Sequence, residues 1–182
     1  VLPGLTLQGR AAGRLENKFE YMKVPKSYMN YGDSRNGDYK TWNSDLLDIN
    51  ADVLATYTQA ISKDFAFTVN AGSSLFYRQI RKQDQSTDGL IAAWVYNMGN
   101  SLNPVRSTNS FNEKAIESIY GSVNIDLFES LFLTFTGRND WSSTLSAENN
   151  SYFYPSISLS TLVSEYVDLP SWVDFLKVNG AW

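Results

Sequence analysis

The sequence predicts an all-β fold: about seven antiparallel strands in one sheet, of the kind that forms the wall of a transmembrane β-barrel. Three observations predict it. Apolar and polar residues alternate with period two along most of the chain. The polar set is mostly Thr, Ser, Asn and Gly rather than Lys and Glu. Short and long connections between the alternating segments also alternate. Composition agrees, with 14% aromatic residues, Tyr 11 and Phe 10 beside only 19% charged residues, a mix that favours strands.

The strands follow in chain order, at about 5–14, 46–61, 65–82, 116–127, 131–138, 153–162 and 176–182. Leu5, Leu7 and Ala11 alternate weakly with Thr6, Gln8 and Arg10. Ala51, Val53, Ala55 and Tyr57 alternate with Asn50, Asp52, Thr56 and Thr58, with Leu54 as the exception. Phe65, Phe67, Val69, Ala71, Leu75 and Tyr77 alternate with Thr68, Asn70, Gly72, Ser74 and Arg78. Ile119, Gly121, Val123, Ile125 and Leu127 alternate with Tyr120, Ser122, Asn124 and Asp126. Leu131, Leu133 and Phe135 alternate with Thr134, Thr136 and Arg138, although Phe132 breaks the polar set. Ile157 and Leu159 alternate with Ser156, Ser158 and Ser160, and the segment from Leu176 to Trp182 closes the series. Pro155 suits a strand start rather than mid-ladder. No segment carries a helical stripe. One short turn is expected within 164–175, where Leu169-Pro170-Ser171-Trp172 offers a Ser cap after proline.

Pattern alone leaves two architectures open. A barrel needs lipid outside and a polar lumen, and a soluble β-sandwich with an uncharged outer face shows the same alternation. Connection lengths favour the barrel. Ser62-Lys63-Asp64 and Phe128-Glu129-Ser130 are tight links, whereas 15–45, 83–115 and 139–152 are long. Short periplasmic turns alternating with long outer loops mark an outer-membrane barrel. The link at 163–175 is longer than such a turn should be. A tilted membrane strand needs about 9–11 residues, and longer strands would project outward as stalks of the loops.

Several chemistries are excluded. With Cys 0 and His 0, the chain has no disulfide, no thiolate nucleophile and no imidazole base or ligand. Lys+Arg 15 against Asp+Glu 19 gives a net charge of −4, which does not suit a nucleic-acid surface. Asp48 and Asp52, the nearest acid pair on one strand, read as solvated or lumen-facing groups. Asp33, Asn36, Gly37 and Asp38 loosely resemble an oxygen-ligand calcium loop but lack the terminal glutamate, and a turn-rich loop is the better reading. We expect no enzyme, no metal and no cofactor. Val1-Leu2-Pro3-Gly4 shows no secretory leader, no stretch is long and apolar enough for a spanning helix, and both ends look cut, so a piece of a longer chain is expected.

Residues 116–182 carry a resemblance. Ser118-Ile119-Tyr120-Gly121 opens a strand. Gly137-Arg138-Asn139-Asp140-Trp141-Ser142-Ser143, Tyr154-Pro155-Ser156-Ile157-Ser158 and Lys177-Val178-Asn179-Gly180-Ala181-Trp182 follow in order. This resembles the C-terminal barrel half of the SusC/RagA class of TonB-dependent outer-membrane transporters. There an Arg-x-Asp-x-Ser-Ser stretch, a Tyr-Pro-Ser-x-Ser strand and a Lys-x-Arg-x-Ser strand recur in this order. Asn179 departs from the arginine frequent there. The upstream residues Pro3-Gly4-Leu5, Gly89-Leu90 and Tyr96-Asn97 are compatible.

The resemblance implies residues 1–182 of a partial barrel of ~22 strands, with no separate domain boundary and with the plug N-terminal to it. It implies a nutrient importer integral to the outer membrane of a Gram-negative bacterium and surrounded by its lipid. Its partners would be a SusD-like surface lipoprotein and the TonB complex, which acts through the N-terminal part. Its substrate would be an oligosaccharide or a peptide. The rival reading is an extracellular β-sandwich that binds glycans through exposed aromatics, and an all-β hydrolase is weakest. Candidate substrate or lid contacts are Trp42, Trp94, Tyr96 and Trp141, in the outer loops. Arg138 and Asp140 are a candidate structural charge pair at the top of an outward strand.

Overall fold

A computed structural model describes residues 2–28 and 36–182. Asp33 of the calcium-like segment lies outside these described residues. The order is β1 (Leu5–Val24), β2 (Asp38–Ala60), β3 (Phe65–Leu90), β4 (Ser101–Leu127), β5 (Leu131–Ser142), β6 (Ser151–Leu162) and β7 (Lys177–Ala181). They form one sheet in sequence order, β1-β2-β3-β4-β5-β6-β7, so each strand neighbours its predecessor. The short turn expected around Ser171 is accompanied by a 3-10 turn earlier in the same link, at Val163–Glu165, and Val173 N–H donates to Pro170 C=O at 2.8 Å.

Strand number matches the periodicity, and strand length does not. β1, β2, β3 and β4 contain 20, 23, 26 and 27 residues, so much of what reads as loop in 15–45 and 83–115 is strand. The β4 extension carries polar residues on both faces, as in Arg106-Ser107-Thr108-Asn109-Ser110, whereas in β1 Leu15, Phe19 and Tyr21 still alternate with Glu16, Lys18 and Glu20. Where neither face is uniformly apolar, period two fades while backbone pairing continues. The long connections shrink to 25–37, 91–100 and 143–150, still longer than the turns at 61–64 and 128–130.

Register places the two faces. Val123 lies opposite Phe135, Ile125 opposite Leu133, and Ser122 opposite Thr136. Leu133 then faces Leu159, Phe135 faces Ile157, and Thr134 faces Ser158. Because side chains alternate, one face is aliphatic and aromatic and the other hydroxyl and amide. Phe132 does fall on the polar face, between Asp126 and Ser160, where Lys177 Nζ sits 5.3 Å from its ring centre.

The apolar face is uncovered. Among the described residues only Val24 and Leu90 are buried apolar side chains. Ile119 remains 59% exposed and Leu159 46%. A β-sandwich buries such a face against a second sheet. The described residues form a single sheet, so the sandwich reading is set aside.

Packing divides the chain into two units. One holds Val1–Ala12, Asn50–Phe76 and Ala115–Trp182, and the other Gly13–Ile49 and Tyr77–Lys114. In the first unit, each neighbouring strand pair is joined by backbone bonds at the short-turn end. Thr58 N–H donates to Gly4 C=O at 2.9 Å, Ile61 to Phe65 at 2.9 Å, and Phe128 to Asp64 at 2.8 Å. Ser130 N–H reaches Leu127 C=O at 3.1 Å, Leu162 reaches Ser130 at 2.8 Å, and Val163 reaches Leu176 at 2.8 Å. Gly4 is required there: its φ is +82°, and a Cβ would lie 2.2 Å from the Thr58 carbonyl oxygen. Phe128 and Glu129 adopt φ of 53° and 54°, the left-handed pair of a type I′ turn that Asn-Gly would take more cheaply.

Candidate functional site

In the first unit the polar face is a hydrogen-bonded mat. Thr56 Oγ1 donates to Asn70 Oδ1 at 2.7 Å, and Asn70 Nδ2 donates to Ser122 Oγ at 3.0 Å. Thr134 Oγ1 donates to Asn124 Oδ1 at 2.9 Å, and the Thr136 and Ser156 hydroxyls are 2.6 Å apart. Neutral groups that satisfy one another across strands keep the face wet without concentrating charge.

Charged residues on this face come in cross-linked groups. Arg138 Nε donates to Asp140 Oδ1 at 2.7 Å, and Arg138 Nη2 donates to Ser118 Oγ at 2.9 Å. Two residues apart on one strand, Arg138 and Asp140 share a face. The Arg138 guanidinium lies 5.8 Å from the Tyr120 ring centre. Tyr120 in turn lies across Gly72, where a Cβ would come within 2.6 Å of the ring. Sequence reasoning missed this stack, and a glycine among polar strand residues was its only trace. Arg10 grips Asp52 on the neighbouring strand, with Nε to Oδ1 at 3.0 Å and Nη2 to Oδ2 at 3.0 Å.

The second unit carries its own ion pair and three of the aromatic candidates. Asp48 is bound side-on by Arg78, through Nε at 2.7 Å and Nη2 at 2.9 Å. Trp42 lines a cleft of about 540 Å³ with Tyr21, Lys18, Glu20, Lys82 and Asp84. Lys18 and Glu20 pair at 3.0 Å. This cleft can stack a flat ring and pair charge of either sign. Tyr96 packs on Tyr39 with ring centres 6.4 Å apart, and Lys23 Nζ lies 5.5 Å from the Tyr96 ring. Trp94 projects from the loop between β3 and β4 and is 65% exposed.

Trp141 differs from the other three. It belongs to the first unit, opposite Glu117 and Ser151, on the face that carries Leu133 and Phe135. Trp42, Trp94 and Tyr96 thus belong to the second unit and Trp141 to the first.

Asp38 has a different task from ion binding. Its Oδ1 accepts the Thr87 hydroxyl at 3.0 Å and the Gly89 N–H at 2.9 Å, while Thr87 Oγ1 accepts the Tyr39 N–H at 2.8 Å. The carboxylate closes the base of the loops. Among the described residues no group of three acids is placed to hold a metal.

No family model matches the chain. It is 27% identical over 154 residues to a TonB-dependent receptor of Formosa agariphila, covering 82% of this chain and 15% of that receptor. Against solved structures it covers 100% of its own length and 20% of the larger chain in each case. It overlays the RagAB peptide transporter with a TM-score of 0.90 at 17% identity. It overlays the RagAB peptide importer in its closed-closed state at 0.82 and 19%, and in its open-open state at 0.81 and 20%. The sheet therefore has the fold of a barrel segment in these transporters, in keeping with the SusC/RagA resemblance of residues 116–182. The proteins it is similar to are receptors and transporters, not enzymes. The chain spans about a fifth or less of their length.

Proposed function

We propose that this chain is part of the barrel wall of a TonB-dependent importer of nutrients, oligosaccharides or peptides, in the outer membrane of a Gram-negative bacterium. One observation carries the reading. Among the described residues a single sheet leaves Ile119, Val123, Phe135, Ile157 and Leu159 exposed on its apolar face while its opposite face is a mutually bonded polar surface, which is how a wall between lipid and an aqueous lumen must be built. The likeness to a TonB-dependent receptor and to RagAB supports it.

Each group then has a place in the reading. Residues such as Ile125, Leu133 and Leu159 meet lipid, and Trp141 joins the aromatic girdle at an interface. The Arg138–Asp140 pair, with Ser118 and Tyr120, stiffens the lumen wall. Trp42 and its flanking charges contact substrate on the outer side, where a SusD-like lipoprotein delivers it. The inner-membrane TonB complex drives uptake through a region N-terminal to the barrel.

The test uses the full-length receptor. Nitroxide labels at Ile125, Leu133 and Leu159 should be quenched by lipid-soluble oxygen, and labels at Asn124, Thr134 and Ser158 by a water-soluble nickel chelate. Deleting the gene should abolish energy-dependent uptake of one oligosaccharide or peptide class. Water-accessible labels on the apolar face would overturn the wall, and unchanged uptake of every class would overturn the importer.

A further inference from the structure

Where β1 and β3 end and β2 begins, the second unit closes on a small core. Among the described residues the two buried apolar side chains, Val24 and Leu90, both fall here, and so do the buried Asp38 and Thr87. Gly37 is buried too, with φ of +99°, and a Cβ there would lie 2.2 Å from the Val24 carbonyl oxygen, so the start of β2 lies hard against the end of β1. Asp38 Oδ1 takes two donors from β3, the Thr87 hydroxyl at 3.0 Å and the Gly89 N–H at 2.9 Å. Thr87 Oγ1 accepts the Tyr39 N–H at 2.8 Å in return. Each strand thus satisfies buried polar groups of the other, and breaking one bond orphans a partner in a place closed to water.

Further contacts carry this knot into the loop at 91–100. Asn36 Nδ2 donates to Ile91 C=O at 3.0 Å, and the Tyr39 and Tyr96 ring centres are 6.4 Å apart. Lys23 Nζ sits 5.1 Å from the Tyr21 ring centre and 5.5 Å from that of Tyr96, which ties β1 to the same loop. Within the loop, the Asn100 side chain bonds Ala92 through both N–H and C=O and also the Val95 carbonyl. Ile91 N–H donates to Asn100 C=O at 2.9 Å. We propose that the loop at 91–100 and the start of β2 form one cooperative body pinned by Asp38, so that the two open together. Bonds that share buried partners open as contiguous units. Such coupling is reciprocal: whatever steadies the loop steadies residues 36–41 by the same factor, and the reverse. Two segments some fifty residues apart in the chain thereby give one response to anything that binds either.

The inference goes beyond the importer reading, because its readout is backbone exchange rather than uptake. Hydrogen–deuterium exchange of the full-length receptor in detergent is followed by mass spectrometry in peptides covering 36–41 and 87–101. Gel migration before and after heating confirms that each variant is folded. Asn100→Ala removes side-chain bonds within the loop alone, yet it should speed exchange at least about 10-fold at 36–41 as well as at 91–100. Thr87→Val, which keeps the side-chain shape and loses the hydroxyl, should do the same from the strand side. Thr87→Ser, which keeps the hydroxyl, should stay within about threefold of the parent. Faster exchange confined to 91–100 in Asn100→Ala would overturn the proposal. So would faster exchange confined to the strand ends in Thr87→Val, or a Thr87→Ser as fast as Thr87→Val. Unchanged uptake in the gene deletion would overturn the importer reading and leave this one standing.

Discussion

Replacing Gly72 with alanine tests the stack on the polar face most directly. The new methyl would sit 2.6 to 2.7 Å from Cζ, Cε2 and the hydroxyl of Tyr120, about 1 Å inside ordinary van der Waals contact. Backbone on either side is paired, so the ring must give way. Swinging it aside forfeits the Arg138 contact, worth about 0.5–1 kcal/mol at a half-exposed site. It also forces the side chain off its rotamer by about 0.5–1.5 kcal/mol. Set against the roughly 0.5 kcal/mol that alanine gains over glycine in a strand, Gly72→Ala should therefore cost about 0.5–2 kcal/mol. The assay is urea unfolding of the full-length receptor in detergent, read by the folded band on an unheated gel. In a Tyr120→Ala background nothing blocks the methyl, and the same change should be neutral or stabilising by about 0.5 kcal/mol, because alanine orders more cheaply than glycine. Equal costs in the two backgrounds would refute the reasoning.

Three further outcomes follow from the geometry. Glu129→Gly removes a left-handed non-glycine residue and should stabilise by about 0.5–1 kcal/mol in the same urea assay. Tyr166→Phe deletes the hydroxyl that meets Ser130 Oγ; with Ser130 only 2% exposed, the orphaned group should cost about 1–3 kcal/mol, and Ser130→Ala should recover most of it. Leu133→Arg on the apolar face should lower insertion into vesicles by about 2–4 kcal/mol, whereas Thr134→Arg next to it should cost far less; equal effects would argue against a lipid-facing wall.

The sequence marks the sheet where one face must be apolar and goes quiet where neither must. From Ile119 to Phe135 apolar and polar side chains alternate between the two faces, and the turn at 128–130 is legible to the residue, but β4 begins at Ser101 rather than at 116 and β5 runs to Ser142 rather than 138. From Gln83 to Leu90 and from Ser101 to Lys114 both faces are polar. Those stretches are strands through their partners' backbone groups, which no single segment can announce. Site residues divide the same way. The Arg138–Asp140 contact can be anticipated, since residues two apart share a face. Trp94 and Tyr96 are also two apart, yet one projects and the other packs on Tyr39, in a loop whose backbone is held at Ala92 and Val95 by the Asn100 amide, which donates twice and accepts once. Tyr120 over Gly72 joins two strands that are neighbours only in the folded sheet.

The row of backbone bonds along the short-turn end gives the wall a hem. Gly4 to Thr58, Asp64 to Phe128, Ser130 to Leu162 and Leu176 to Val163 stitch each strand or turn to the next, so no hairpin has a loose corner there from which to peel. Fraying is left to the opposite end. Unpairing that begins at the far ends of β3 and β4 must travel down the strands before the two can part, and at 26 and 27 residues that is a long way to travel. A pull applied from the hemmed side would load many stitches together rather than one after another. Substitutions in the loops at 91–100 and 143–150 can therefore be absorbed without loosening the margin that keeps the strands in step.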